Sequence, residues 1–450
     1  MIRRFILILA LGLVAAGAVF WGGTHRTVTI RLLPDVTYQT FRDWEATPVL
    51  LGGEEERRHR FDIFDRIAKE IPLTRLRVEV FSGAESRYRG MQRYLAGEID
   101  IETWKALRYP TQNDDDDPNH INPAGFDFFD LDYRMDNTVL PMIERASARG
   151  ESYRLTLTYV AFTKMIREGG YLHTDPAEYA EFILAAFEHL RDKYGVVPDY
   201  FDPLLEPDNV PAWTPETLGP AIRAAMDRLH GAGFHPGVIL PSVSDAGETL
   251  RWLDGIGETD GALADLTEIS FHRYKGADRA SLEAIAARAA EMGVTSGMLE
   301  YWFGRATYQV LHQDLTVANV SSWQPRAVYS FYEIQPDGSL KIAEDIRYDR
   351  LYFEAIRPGD VRIGAEAPWL SPFSPVAFRK ADGTMSVVLM ARRAGSAVIT
   401  RLPAGAYLEE TATASPSGPP QIVQVGADGR LSITIDGPGV IAIHPAPAQG

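Results

Sequence analysis

Hydrophobic and polar positions change their period along this chain in a way that divides it into three. Arg3 and Arg4 precede an apolar run from Phe5 to about Gly22 that only small residues interrupt. From about Thr27 to Tyr352, short β-branched and apolar runs alternate with helical windows. Strands are expected over 27–33, 76–80, 153–159, 200–205, 237–240, 268–272, 297–300 and 327–331. The clearest helical window is 175–194, with Asp175 as cap, Pro176 at the first helical position, apolar residues at helical spacing and Gly195 as the stop. The windows 215–230 and 281–292 repeat that scheme.

Strand–helix alternation implies a parallel sheet, and so many repeats over about 320 residues favour a closed (β/α)8 TIM barrel over an open doubly wound sheet. Beyond Phe353 the period shortens, with strands expected over 375–378, 385–390, 397–402, 421–425, 431–435 and 440–444. Ala381-Asp382-Gly383 and Ala427-Asp428-Gly429 mark tight turns between them. The expected architecture is therefore an α/β chain with three parts. An export segment covers 1–26, a barrel covers 34–352, and a C-terminal antiparallel β-sandwich covers 353–450, with strand 27–33 joining the sandwich. Arg357-Pro358-Gly359 lies near the boundary between the last two.

Composition changes this picture in three places. The chain has 450 residues and a formal net charge of −16, which repels nucleic acid and anionic surfaces, so no nucleic-acid partner is expected. It has no cysteine, which excludes disulfides, thiolate metal sites, a cysteine nucleophile and a lipobox anchor. The basic start and the apolar run 5–22 read as a signal peptide, with Ala16-Gly17-Ala18 as a cleavage site, or as an uncleaved membrane tether. Either way the body is expected to be exported, to the periplasm or beyond. The acidic segment Asn113–His120 lacks the ligand spacing of a calcium loop and is expected to be a solvated loop. No metal or organic cofactor is expected.

Two carboxylates carry the candidate chemistry. Glu206 follows the strand-like YFDPLL and precedes Pro207, and Glu300 ends the short run GMLE. Acids at the C-terminal ends of barrel strands lie on the face where active sites of this fold are built. Two of them, three strands apart, would face each other across the mouth. Glycoside cleavage needs that arrangement, with one acid to protonate the leaving oxygen and one to attack the anomeric carbon. A strand-end Glu with no role in chemistry is the competing reading of each taken alone.

The motifs TYQTFRDWEAT, LTRLRVEV, LEPDN, ISFHRYKG, MLEYWFG and SSWQPR, in that order, resemble glycoside hydrolase clan A, and the junction AIRPGDVRIG resembles its family 30-type members. The resemblance implies Glu206 as general acid/base after the fourth barrel strand and Glu300 as nucleophile at the end of the seventh. It further implies Arg77 as the arginine that keeps the nucleophile ionised, with His272 and Tyr274 on the sixth strand and Tyr274 bonding the nucleophile. Trp323 would floor the sugar subsite, and Trp44 would stand in the family's glycine-rich first turn. Arg77 could instead pair with Glu79 or another buried acid, His272 and Tyr274 could be satisfied core groups, and both tryptophans could be core.

One departure from the family pattern concerns the residue before the acid/base. The family has Asn there, bonding the sugar 2-hydroxyl, where this chain has Leu205; Asp208 or Asn209 are the candidate substitutes. The expected function is a retaining O-glycosidase acting on a β-linked oligo- or polysaccharide, with Glu206 raised in pKa to hold a proton and Glu300 ionised. The alternative is a catalytically inactive glycan-binding protein of the same fold serving polysaccharide export or assembly.

Overall fold

A computed structural model describes residues 27–49, 54–162, 173–415 and 418–447; the apolar run 5–22 lies outside them. No helix among the described residues is long and apolar enough to cross a membrane. Contacts group the chain into two compact units, one of 42–306 with 313–343, the other of the chain up to Phe41, 307–312 and 344 onward. The boundaries therefore fall at Phe41/Arg42 and Ala343/Glu344, against the expected 33/34 and 352/353.

The first strand, β1 (Val28–Thr40), belongs to the second of these units. The barrel then closes from eight parallel strands: β2 (Asp43–Ala46), β3 (Arg75–Phe81), β4 (Arg154–Val160), β5 (Tyr200–Asp202), β6 (Gly237–Asp245), β7 (Leu266–Lys275), β8 (Thr295–Glu300) and β9 (Ser322–Trp323). Helices cover it between strands. In the helix Pro176–Tyr194, the Asp175 carboxylate accepts from the Ala177 and Glu178 backbone N–H groups at 2.8 and 3.4 Å, and Gly195 ends it at φ 65°.

Two barrel strands escape the sequence pattern. The run 327–331, expected as a strand, forms a short 3-10 turn at Val328–Ser330, and the closing strand is the two-residue Ser322–Trp323. A short buried apolar run reads the same in either conformation, so period alone does not separate them. The opening strand DWEA is fully buried yet half acidic, because Asp43 and Glu45 turn inward to Arg75. That guanidinium, 1% exposed at its side chain, is paired with Glu45, with Glu268 at 3.0 Å and with Asp43 at 3.5 Å, and Ser322 donates to Glu268 at 2.6 Å. The acidic segment 113–120 is likewise less solvated than expected. Asp114 is buried, accepting from the N–H groups of Asp115 at 2.9 Å and Asn122 at 2.6 Å.

After a hairpin of β10 (Tyr332–Ile334) and β11 (Leu340–Ile342), the second unit continues with β12 (Val361–Glu366), β13 (Phe373–Arg379), β14 (Met385–Ala391), β15 (Gly395–Thr400), β16 (Gly405–Thr413), β17 (Gln421–Val425), β18 (Arg430–Ile435) and β19 (Gly439–Pro445). They form one nine-stranded sheet in the order β17-β16-β19-β14-β13-β12-β1-β15-β18, antiparallel at every pairing but β1 with β15. Ile30, Ile363, Leu389, Ile399, Val425, Ile433 and Ile441 share one apolar cluster. A single sheet therefore shares a common core, with its first strand inserted between β12 and β15. The strands β12 and β16 stand outside the expected set because VRIGAE and GAYLEETAT mix Gly, Ala and Glu among their β-formers.

Replacing Arg75 by Met should leave buried Glu45 and Glu268 without their ion-pair partner, while Asp43 keeps Arg154 at 2.6 Å, and lower the unfolding free energy by about 3–5 kcal/mol. Urea denaturation monitored by circular dichroism measures it; a change below about 1 kcal/mol would refute the pairing's role.

Candidate active site

Glu300 ends β8 and Glu206 lies in the loop beyond β5, while Arg77 stands within β3 and His272 and Tyr274 on the later half of β7. Glu206 sits four residues past β5 in the left-handed region, φ 48° and ψ 58°, a conformation that costs a non-glycine residue of order 1 kcal/mol and persists only when its surroundings dictate it. They do. The Glu206 N–H donates to the Ser242 carbonyl at 3.0 Å. Pro207 opens a 3-10 turn that puts Asn209 Nδ2 2.8 Å from Glu206 Oε2. Asp208 accepts from Ser244 N, Ser244 Oγ and Asp245 N at 2.8, 2.7 and 3.0 Å, which pins the loop to β6.

From β7, His272 Nδ1 donates to Glu206 Oε1 at 2.9 Å and the Tyr274 hydroxyl donates to Glu300 Oε1 at 2.8 Å. Two residues apart on one strand, they share a face. From β3, Arg77 Nη2 meets Glu300 Oε2 at 2.6 Å and Glu79 Oε1 at 3.4 Å, and Arg134 Nη1 donates to Glu79 Oε2 at 3.3 Å. Glu206, His272 and Glu300 offer ligand-type atoms that all lie within 4.8 Å of one another. A divalent cation would find three donors there. All four carboxylate oxygens, however, already accept from Asn209, His272, Tyr274 or Arg77, so the donor set suits proton transfer better than metal binding.

The computed structure resembles many solved glycoside hydrolases. The catalytic domain of GH30 xylanase C from Talaromyces cellulolyticus aligns with a TM-score of 0.66 at 15% identity, covering 92% of this chain and 99% of that one. A GH30 endoxylanase from Clostridium papyrosolvens gives 0.63 at 14%, over 93% and 100%. SrfJ from Salmonella typhimurium gives 0.64 at 14%, over 93% and 94%. The chain has the glycoside hydrolase family 30 fold. No family model matches its sequence, and no curated protein matches it.

Within that fold, six of the eight expected site residues come together: Glu206, Glu300, Arg77, His272, Tyr274 and Asn209. Trp44 and Trp323 do not. Both are wholly buried, packed edge to face at 6.4 Å, and Trp323 Nε1 donates to Asp314 Oδ2 at 3.0 Å. Both point away from the barrel interior, because their strand neighbours Asp43, Glu45 and Ser322 point inward to Arg75 and Glu268, and buried under the outer layer they offer no ring face to a sugar. The aromatic at the mouth is the half-buried Trp302, whose ring lies 5.7 Å from the Arg77 guanidinium and whose Nε1 donates to Gln324 Oε1 at 3.4 Å. Its position two residues after the strand-end Glu300 is the signal that points to it. Glu79 could have been found from the two-residue spacing of Arg77 and Glu79 on one strand face. Leu205 is buried with Phe81, Tyr109 and Val160 in an apolar cluster, Asp208 is spent on β6, and Asn209 alone of the candidate substitutes reaches Glu206.

The proton distribution differs from the expected one. Burial pushes Glu206 upward, but the His272 N–H and its charge, with Asn209 and Arg77, outweigh burial and hold the carboxyl below its ordinary value. Burial pushes His272 down, but its bond to Glu206 and the charges of Glu300 and Glu206 raise it. Glu206 is thus not a carboxyl with a raised pKa. The contact favours the carboxylate on Glu206 and the charged imidazole on His272 together. The Tyr274 phenol is raised, first by burial and then by Glu300, so it remains a donor.

A lowered Glu206 adds stability above its ordinary 4.5 that is lost as pH falls through the folded value, and a raised His272 adds stability below 6.5 that is lost as pH rises through its folded value. The stability difference between wild type and His272→Gln should therefore peak between 4.5 and 6.5. Denaturant titrations across acid to alkaline pH measure it, and a difference that keeps growing into alkali contradicts the pairing.

Proposed function

We propose that the protein is a retaining O-glycosidase acting on a β-linked saccharide, with Glu206 as acid/base and Glu300 as nucleophile. The observation that carries this reading is the approach of the two carboxylates to within 4.8 Å, each already oriented by two donors. Retention requires a separation of about 5–5.5 Å and inversion roughly 6.5–9.5 Å, which leaves room for a water. The β-linkage rests on the resemblance to clan A.

Arg77 and Tyr274 hold both oxygens of Glu300 and orient it for attack. As the carbon–oxygen bond from the anomeric carbon to Glu300 forms, the glycosidic bond breaks and its electron pair goes to the leaving oxygen. The proton for that oxygen comes from the Glu206–His272 pair, relayed through Glu206 as the imidazole gives up its charge. In the second half, Glu206 takes a proton from water, the water oxygen bonds the anomeric carbon, and Glu300 leaves. His272 raised beside Glu206 lets the pair carry a proton while Glu206 remains the group within reach of substrate. The apolar run 5–22 supports export of the body, cleaved or tethered.

Leu205 favours the second reading, a non-catalytic glycan-binding protein. Its apolar cluster with Phe81 and Tyr109 leaves no amide before Glu206 to bond a sugar hydroxyl.

Glu206→Gln should lower turnover by about 10²–10⁴-fold, more for glycosides with poor leaving groups than for activated aryl ones. Glu300→Gln should remove turnover by roughly 10³-fold or more, and proton NMR should show products of unchanged anomeric configuration. A panel of aryl β-glycosides and polysaccharides on which wild type and both variants bind without turnover would overturn the enzyme reading in favour of the binding protein.

A further inference from the structure

The two most exposed large apolar side chains among the described residues are neighbours in the chain, Trp369 at 93% and Leu370 at 79%. They stand between β12 and β13, and the backbone around them is well anchored. The Ser371 N–H donates to the Pro368 carbonyl at 2.8 Å, which makes them the two central residues of a tight turn. The turn is tied in its place by the end of β14. There the Arg392 N–H donates to the Pro372 carbonyl at 2.9 Å, and Arg392 Nη2 donates to the Ser371 carbonyl at 2.9 Å. A held turn thus presents an indole and an isobutyl group to water, an exposure that a covering partner would relieve.

Strand register shows where this turn stands in the sheet. β1 and β12 run antiparallel with Arg31 opposite Glu366. Val28, the first residue of β1, is three positions before Arg31, and Trp369 is three positions after Glu366. The turn therefore lies at the end of the sheet where the chain enters it. Gly22, which closes the apolar run, is six positions before Val28, and six residues span at most about 20 Å. A bilayer that holds 5–22 would lie within that reach of this end of the sheet.

The charges at this end fit such a neighbour. The turn between β14 and β15 brings Arg392 and Arg393, against Asp436 in the turn between β18 and β19 and Glu366, whose cross-strand neighbour is Arg31. The excess of acid that gives the chain a net charge of −16 is thus not concentrated in these turns. Two arginines stand there to meet lipid phosphates.

We propose that this end of the sheet rests on a phospholipid bilayer, with Trp369 and Leu370 in the headgroup region beside the point where 5–22 enters. An indole suits that depth because its ring is apolar and its N–H polar. The inference builds on export of the body and makes no use of Glu206 or Glu300, so it stands or falls apart from the glycosidase reading.

The chain has no cysteine, so Leu370→Cys and Ala381→Cys each carry a single fluorescent label. Ala381 is exposed between β13 and β14, at the opposite end of the sheet. In the full chain reconstituted into vesicles of phosphatidylethanolamine and phosphatidylglycerol, the label at 370 should be quenched by nitroxide-bearing lipid and shielded from iodide. The label at 381 should behave in the reverse way. Labels equally open to iodide and untouched by the lipid quencher overturn the proposal. If the cell removes 5–22, the processed protein should still float with these vesicles. Trp369→Ser and Leu370→Ser together should then lower the bound fraction about tenfold without moving the melting temperature, since both side chains are exposed. Equal flotation of wild type and double variant, or flotation of neither, overturns the proposal. Self-association lost in the double variant would assign the turn to a second copy, and polysaccharide binding lost without any vesicle binding would assign it to a glycan; either result overturns the lipid assignment.

Discussion

A guanidinium removed from water must be surrounded by acids, and this barrel places two of them on one strand. Arg75 and Arg77 point inward from β3, two residues apart, and draw Glu45, Asp43 and Glu268 to the lower and Glu79 and Glu300 to the upper. Their pairing ties together strands that lie far apart in the chain, so the closure of the barrel and the orientation of Glu300 depend on the same kind of contact. The lower set is structural and the upper set chemical, and burial makes both intolerant of losing a partner.

The upper arginine also governs where protons go. Arg77 and Tyr274 occupy both oxygens of Glu300, and the Glu300 charge joins the Glu206 bond in raising His272. His272 in turn holds Glu206 ionised at rest. The pair differs from a lone carboxylic acid raised by an apolar pocket, because the imidazole and the carboxyl shift each other in opposite directions.

The strained backbone at Glu206 shows how the scaffold is arranged around this pair. A left-handed glutamate is held by three independent anchors: its N–H on Ser242, Asp208 on β6 and Asn209 on its own carboxylate. Rigid loops of this kind position acid groups more closely than free side chains do. Leu205 completes the arrangement by sealing the loop against Phe81 and Val160, at the expense of the polar contact that the family pattern places before the acid.

The alternation of strand and helix, the two strand-end acids and their arginine, histidine and tyrosine partners were all legible in the residues themselves, because periodicity and strand-end placement are local properties. The signs of the pKa shifts were not legible, since desolvation at Glu206 is outweighed by a neighbour 66 positions away in the chain. Nor was the burial of Trp44 and Trp323, which depends on which face of two very short strands lines the barrel interior, or the half-buried placement of Trp302, which depends on how the loop after β8 turns. The opening strand hid behind its own acids, Asp43 and Glu45, whose inward direction makes sense only once Arg75 is known to face them. What the linear order determined was which groups could meet; the closed barrel decided which of them share a dry interior, and there charge and burial set their chemistry.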